Sequence, residues 1–294
     1  MARENNDDTF NEHQFLANSD EKHPSPLICH IDSRGVATLT LNRIEKHNAF
    51  DSELIKLLNK QLKKLARLPS IRCLILRANG PYFSSGADLN WMQSMADQNA
   101  SENRLDADNL ALLMQRLDTF PRPTVAAVQG HAFGGALGLI SCCDIAIATD
   151  NVNFCLSEVK LGLVPATIAP YVCRAIGTRQ ARRYMLTAEA FDAVTAYKLG
   201  LIHTLVKRGE SKQDCSKNIV FKAQLETIIN RLLANSPNAL KETKALCHLC
   251  EQSMISQELI DTTSQLIADI RASKQGQEGV RAFLAKRPPA WKRS

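Results

Sequence analysis

The stretch Thr124-Val125-Ala126-Ala127-Val128-Gln129-Gly130-His131-Ala132-Phe133-Gly134-Gly135-Ala136-Leu137-Gly138-Leu139-Ile140-Ser141-Cys142-Cys143-Asp144-Ile145-Ala146-Ile147-Ala148 decides the fold. Thr124 to Val128 follow the breaker Pro121-Arg122-Pro123 and read as a short buried strand. Gly130, Gly134, Gly135 and Gly138 then lead into Leu139-Ile140-Ser141-Cys142-Cys143, and Ile145 to Ala148 is a second apolar run of strand length. Strand, glycine loop, helix and strand in close succession describe a β–α repeat.

Outward from this unit the same alternation continues. Val36 to Leu41 alternates like a half-buried strand. Asp51 or Ser52 can cap a helix whose face carries Leu54, Leu57, Leu58, Leu62 and Leu65, and Pro69 ends it. Ile71 to Leu76 is a further strand, closed by the turn signal Asn79-Gly80-Pro81. Leucine spacing predicts a helix over 102–117, and Phe154 to Glu158 reads as another strand. From Thr178 onward the pattern is helical, at 178–187, 192–199, 218–235, 237–250, 254–271 and 276–285. The chain therefore divides into an α/β core domain, 26–215, and a C-terminal helical region, 216–294. Residues 1–25 hold six acidic and two basic residues, which predicts a disordered extension rather than a signal or transit peptide.

Bulk properties narrow the function. The 294 residues are 45% hydrophobic and 22% charged, as in an ordinary globular protein, and hold no apolar run of membrane-spanning length. The net charge of +6 is scattered instead of forming a dense basic stripe with interleaved aromatics, which disfavours a nucleic-acid partner. Of nine cysteines, Cys73, Cys142, Cys143, Cys155 and Cys173 sit in apolar runs and read as small buried hydrophobes, the usage expected of a cytoplasmic protein. Cys247-His248-Leu249-Cys250 has no second ligand pair nearby, so no metal is expected there.

Three segments carry chemistry. Ser84-Ser85-Gly86-Ala87-Asp88 follows a strand; its glycine lets backbone approach a ligand, so the Ala87 N–H can face a cleft, while Asp88 also suits the plain role of helix N-cap. The glycine loop Gly130 to Gly138 lies before a helix, where unpaired N–H groups hold anionic oxygen, although small residues there also serve close packing. Its spacing matches neither the dinucleotide nor the P-loop pattern. Glu158 stands in the apolar stretch Phe154 to Gly162; a carboxyl buried there acts as a general acid or base, and an exposed one pairs with a cation such as Lys160. Together, two glycine-flanked N–H donors and one carboxylate suffice for enolate chemistry: the donors hold a thioester oxygen and the carboxylate exchanges a proton at an adjacent carbon.

These residues resemble the crotonase, or enoyl-CoA hydratase/isomerase, superfamily. The resemblance runs from about Ile31 to Lys286 through Leu41-Asn42-Arg43 with Lys46 and Asn48-Ala49, Phe83 to Leu89, Ala126 to Asp144, Ser157 to Pro165 and Arg174-Ala175-Ile176-Gly177. Phe133 to Asp144 with Phe154 to Pro165 is most similar to bacterial methylglutaconyl-CoA hydratases and their geranoyl-CoA pathway relatives. The resemblance implies a spiral of ββα turns with a C-terminal helical region used in trimer, or dimer-of-trimers, assembly. It implies oxyanion N–H groups at Ala87 and Gly135, Glu158 as the proton-exchanging glutamate, and an acyl-CoA substrate with no further cofactor. Lys46, Ala49, Ser85, Asp88, Leu89 and Gly134 match stretches that line the CoA path or the oxyanion loop. Phe283 and Lys286 match a stretch that closes over CoA, often from a neighbouring subunit.

The chain departs from the family at two places. Two-glutamate hydratases carry a second Glu where this chain has Gly138, and Ala166-Thr167-Ile168-Ala169 replaces a glycine-rich stretch. The expectation is a hydratase acting on a 2-enoyl-CoA, such as a branched ester of the 3-methylglutaconyl type. A Δ3,Δ2-enoyl-CoA isomerase, served by one carboxylate, and a low-turnover acyl-CoA or RNA binder are the alternatives.

Overall fold

The computed structural model describes residues 25–207 and 214–292. Strands β1 (Leu27–Ile31) and β2 (Val36–Leu41) form an antiparallel hairpin, followed by helix α1 (Ser52–Arg67), β3 (Cys73–Ala78) and β4 (Tyr82–Ser84). Helices α2 (Leu89–Ala96) and α3 (Ala100–Asp118) lead to β5 (Thr124–Val128), β6 (His131–Phe133) and α4 (Gly135–Ser141). The third repeat is β7 (Ile145–Thr149), β8 (Asn153–Cys155), α5 (Ala169–Ile176) and α6 (Thr178–Thr187). Then come β9 (Phe191–Asp192), α7 (Ala193–Leu199), β10 (Thr204–Val206) and the helices α8 (Asp214–Leu233), α9 (Pro237–Gln252), α10 (Gln257–Ala272) and α11 (Lys274–Leu284).

The strands sort into two sheets in a regular way. The large sheet runs β1-β2-β3-β5-β7-β10, parallel from β2 onward, and the small sheet runs β4-β6-β8-β9, parallel through its first three strands. After the opening hairpin and α1, the turns β3-β4, β5-β6 and β7-β8 each give one strand to the large sheet, the next to the small sheet, and then helix: a spiral of ββα units, as expected.

Residue parity explains why the inner strands of the large sheet are covered on both faces, while the edge strand β1 is largely exposed. Ala37, Leu74, Leu76, Ala126, Ala146 and Ala148 point into the main core with α1, α3, α4 and α5. Their neighbours Val36, Cys73, Ile75, Ala127 and Ile147 point the other way, onto Phe221 and Ile229 of α8. A sheet covered on both faces needs near-continuous apolar strands, which is what these sequences supply. The α1 stripe is Leu54, Ile55, Leu58, Leu62 and Leu65, with Asp51 accepting from the Leu54 N–H at 2.8 Å as the cap.

The structure corrects three readings. The strand expected at Ile71 to Leu76 starts two residues later, at Cys73. Helices do not follow alone after Thr178: β9 closes the small sheet and β10 is the edge of the large one, both too short to show a period. Glu158 does not end a strand. β8 stops at Cys155, and Glu158 opens a 3-10 turn, Glu158–Leu161, closed by left-handed Gly162. The Leu163 N–H donates back to the Glu158 carbonyl at 3.1 Å, which fixes the turn. The acidic stretch before Ser25 lies outside the described residues.

Candidate active site

The three segments singled out in the sequence leave the same edge of the small sheet. β4 runs into Ser85-Gly86-Ala87, β6 into Gly134-Gly135, and β8 into Leu156-Ser157-Glu158. Because β4, β6 and β8 are adjacent and parallel, their C-terminal ends lie side by side. Such an edge is where loops from several strands meet, and where ligands bind in parallel sheets.

The contacts between these loops are close. Gly86, at φ +91°, approaches the second loop so tightly that a Cβ there would lie 3.1 Å from the Phe133 carbonyl oxygen and 3.8 Å from Gly134 Cα. Gly134 has φ 55° and ψ −125°, a conformation open only to glycine. A Cβ on Gly134 would lie 3.3 Å from Glu158 Oε1 and 3.7 Å from Gly86 Cα. The Gly86–Ala87 and Gly134–Gly135 peptides and the Glu158 carboxyl therefore share one small space.

Both amides are free to act as donors. Phe50 forms a single parallel bridge with Ala87: the Phe50 N–H donates to the Gly86 carbonyl at 2.7 Å and the Asp88 N–H to the Phe50 carbonyl at 2.8 Å. In that parallel pattern Phe50 uses both its N–H and its carbonyl, and the N–H of Ala87 points away from it. Ala87 N–H has no acceptor among the described residues. Gly135 is the first residue of α4, so its N–H has no intrahelical acceptor either. Ala87 and Gly135 are half-buried, while Gly86 and Gly134 behind them are buried.

Glu158 is poised for proton exchange. Its Oε2 is buried and has no hydrogen-bond partner among the described residues. Burial pushes its carboxyl above the usual carboxylate range, with a backbone hydrogen bond acting the other way. A desolvated carboxyl with one oxygen unpartnered, beside two unpaired N–H groups, can take up and return a proton next to a carbonyl the amides hold.

The other candidate residues divide. Lys46 ends a short exposed turn, Ile44–Lys46, and Ala49 is buried just before Phe50. Ser85 donates its N–H to the His47 carbonyl at 3.0 Å, which ties these two stretches together. Leu89, 77% exposed, opens α2 beside Ala87. Asp88 is 6% exposed, and its Oδ1 accepts from the Asn90 and Trp91 N–H groups, so it serves as the α2 cap rather than presenting a free carboxylate. Phe283 and Lys286 are not brought to this site: α11 packs on α9 and α10, with Phe283 81% exposed.

Gly138 has a steric explanation. A Cβ there would fall 2.3 Å from Ile168 Cγ2 and 3.1 Å from Met114 Sδ. Ile168, within the divergent 166–169 stretch, and Met114 fill the space a larger residue would need, and both are buried. Position 138 therefore supplies no second carboxylate. Sequence reasoning assigned no part in the site to Phe50, Met114 or Ile168. Phe50 acts through its backbone, Met114 gives no signal beyond being apolar, and Ile168 stands out only as part of the divergent 166–169 stretch.

The chain is similar in sequence and fold to several known proteins. The model of the family enoyl-CoA hydratase/isomerase matches residues 32–294. The chain is 48% identical to an enoyl-CoA hydratase of Shewanella pealeana of known structure, with a TM-score of 0.84 over 91% of this chain and 96% of that one. An enoyl-CoA hydratase of Mycobacterium smegmatis superposes with a TM-score of 0.84 at 27% identity, over 92% of this chain and all of that one. The 2,3-dehydroadipyl-CoA hydratase of Escherichia coli is 30% identical over 258 residues, 87% of this chain and 95% of that protein.

Proposed function

The chain belongs to the enoyl-CoA hydratase/isomerase family, and from that premise we propose that it hydrates a 2-enoyl-CoA using a single carboxylate. The observation that carries this reading is the meeting of two unpaired amides, Ala87 and Gly135, with the unpartnered buried oxygen of Glu158. The thioester oxygen sits between the two N–H groups. Glu158, ionised, takes a proton from water as the water oxygen bonds to C3, and the alkene electrons move onto the thioester oxygen as an enolate. The enolate then collapses as the Glu158 carboxyl returns that proton to C2. Water is added across the double bond and Glu158 is left as it began. The donors contribute by lying where charge develops, an effect worth about 3–4 kcal/mol per donor in other oxyanion holes.

Lys46, Ala49, Ser85 and Leu89 lie along the CoA path on this reading, because the loops that bear them adjoin Ala87. CoA arrives with the substrate and no other cofactor is required. The acyl group is a branched one of the 3-methylglutaconyl type, and the cytoplasm is its compartment. Among the described residues no helix is long and apolar enough to cross a membrane. Phe283 and Lys286 act on a neighbouring subunit of a trimer or a dimer of trimers, a reading supported by the exposure of Phe283.

Gly138 favours a second reading. Without a second carboxylate, Glu158 can instead carry a proton from C2 of a 3-enoyl-CoA to C4, giving the 2-enoyl ester. Separate incubation with 2-enoyl-CoA and 3-enoyl-CoA esters, followed by mass spectrometry, decides between the two. Hydration gives a product heavier by one water from the 2-enoyl ester. Consumption of the 3-enoyl ester alone, with no change of mass, contradicts it.

A further inference from the structure

We infer that Arg43 is a positioning residue for the Ala87 N–H, acting through a relay of two peptide groups; the inference rests on the reading of Ala87 as an oxyanion donor. Arg43 Nη1 donates to the Ala49 carbonyl at 2.6 Å. That carbonyl and the Phe50 N–H are the two ends of one peptide plane, and the Phe50 N–H donates to the Gly86 carbonyl at 2.7 Å. The Gly86 carbonyl and the Ala87 N–H are in turn the two ends of the next plane. A full positive charge thus stands at the back of a chain of two hydrogen-bonded amides whose front end is the donor in the cleft. Hydrogen bonds in such a chain polarise one another, and a charged donor at its head strengthens each bond after it.

The guanidinium is itself held from two sides. Arg43 Nη2 lies 2.8 Å from Asp51 Oδ2 and 3.4 Å from Asp88 Oδ2. Each carboxylate spends its other oxygen on a helix start: Asp51 Oδ1 accepts from the Leu54 N–H, and Asp88 Oδ1 from those of Asn90 and Trp91. Arg43 therefore joins the starts of α1 and α2, which flank Phe50 and Ala87 in sequence. Its side chain is 15% exposed and that of Asp88 7% exposed, so solvent screens the arrangement little. Only a planar fork with several fixed donors reaches a carbonyl and two carboxylates at once, and a lysine ammonium does not reproduce it. The second donor has no such backing: the Gly134 carbonyl of its peptide accepts from the Leu137 N–H within α4.

The test uses the full-length protein, Arg43→Lys and Arg43→Met, with two readouts. One is steady-state turnover of a 2-enoyl-CoA. The other is the absorption band of bound para-dimethylaminocinnamoyl-CoA at saturation, which moves to the red as its thioester oxygen is polarised. The relay predicts a smaller red shift in both variants, more so in Arg43→Met, with kcat lower by about 10-fold or more and KM changed much less, since a misplaced donor forfeits part of what a deleted one does. Glu158→Gln, whose amides are untouched, keeps the full band shift. A wild-type band shift and kcat in folded Arg43→Lys overturns the inference even where Arg43→Met fails to fold, as does a change confined to KM. If the wild-type protein itself neither turns over enoyl-CoA esters nor shifts the band, the proposed function fails and not the relay alone.

Discussion

On the proposed reading Glu158 is the proton-exchanging group, and its burial also carries a cost in stability. Its proton is held more tightly in the folded chain than in the unfolded one, because burial disfavours the carboxylate. Between the unfolded and the raised folded pKa the native state binds more protons, so stability falls as pH rises through that window. Glu158→Gln is expected to lower kcat/KM by roughly 10²–10⁴-fold, the usual worth of a general base, and to raise the thermal midpoint at neutral pH. A midpoint that falls contradicts the burial argument. Because the ionised form is the base, kcat/KM of the wild type should rise with pH and level off above the raised pKa; a profile flat down to the ordinary carboxylate range contradicts it. Gly134→Ala should cripple activity with substrate binding retained, since its Cβ meets Glu158 Oε1 at 3.3 Å in a glycine-only conformation. At this scale much was legible in sequence, because glycine beside a strand end and a carboxyl in an apolar run both announce themselves. Phe50 does not, since it works through backbone groups that every residue has, and Arg43 stands out only as part of a motif, with no sign of the carbonyl and carboxylates it joins.

At the scale of elements, the site depends on strands of three residues. β4 and β6 are too short to show alternation and β8 is legible only with its bounds displaced, so the small sheet that gathers Ala87, Gly135 and Glu158 is not legible as a sheet, whereas the longer strands β2, β5 and β7 are legible. α5, whose apolar face was not read as a helix, brings Ile168 over α4 from its N-cap position. This packing yields a stability prediction. Gly138→Ala places a methyl on Ile168 and should cost about 1–3 kcal/mol, as overpacking does elsewhere. Ile168→Ala should recover part of that loss in the double variant, since the two positions touch. Additive losses in chemical denaturation would show that the contact is not the cause.

At the scale of the molecule, the C-terminal helices stand apart from the core in how they bury surface. α9 and α10 contain no buried residue, and Met254, Ile255, Phe283 and Leu284 are 88%, 89%, 81% and 74% exposed. Apolar surface of this kind marks an interface. Sedimentation equilibrium is expected to give three or six times the chain mass, and Phe283→Asp to shift that distribution toward smaller species; a monomeric wild type contradicts the proposed assembly. Periodicity revealed these helices, but a helix period does not say whether its apolar face meets the same chain or another copy.

The central claim is geometric, and a crystal structure of Glu158→Gln with a bound 2-enoyl-CoA tests it most directly. The account predicts the thioester oxygen at about 2.7–3.1 Å from both the Ala87 and the Gly135 nitrogen, with the side chain of residue 158 beside C2 and C3. A thioester held elsewhere, or touching only one of the two amides, would contradict it.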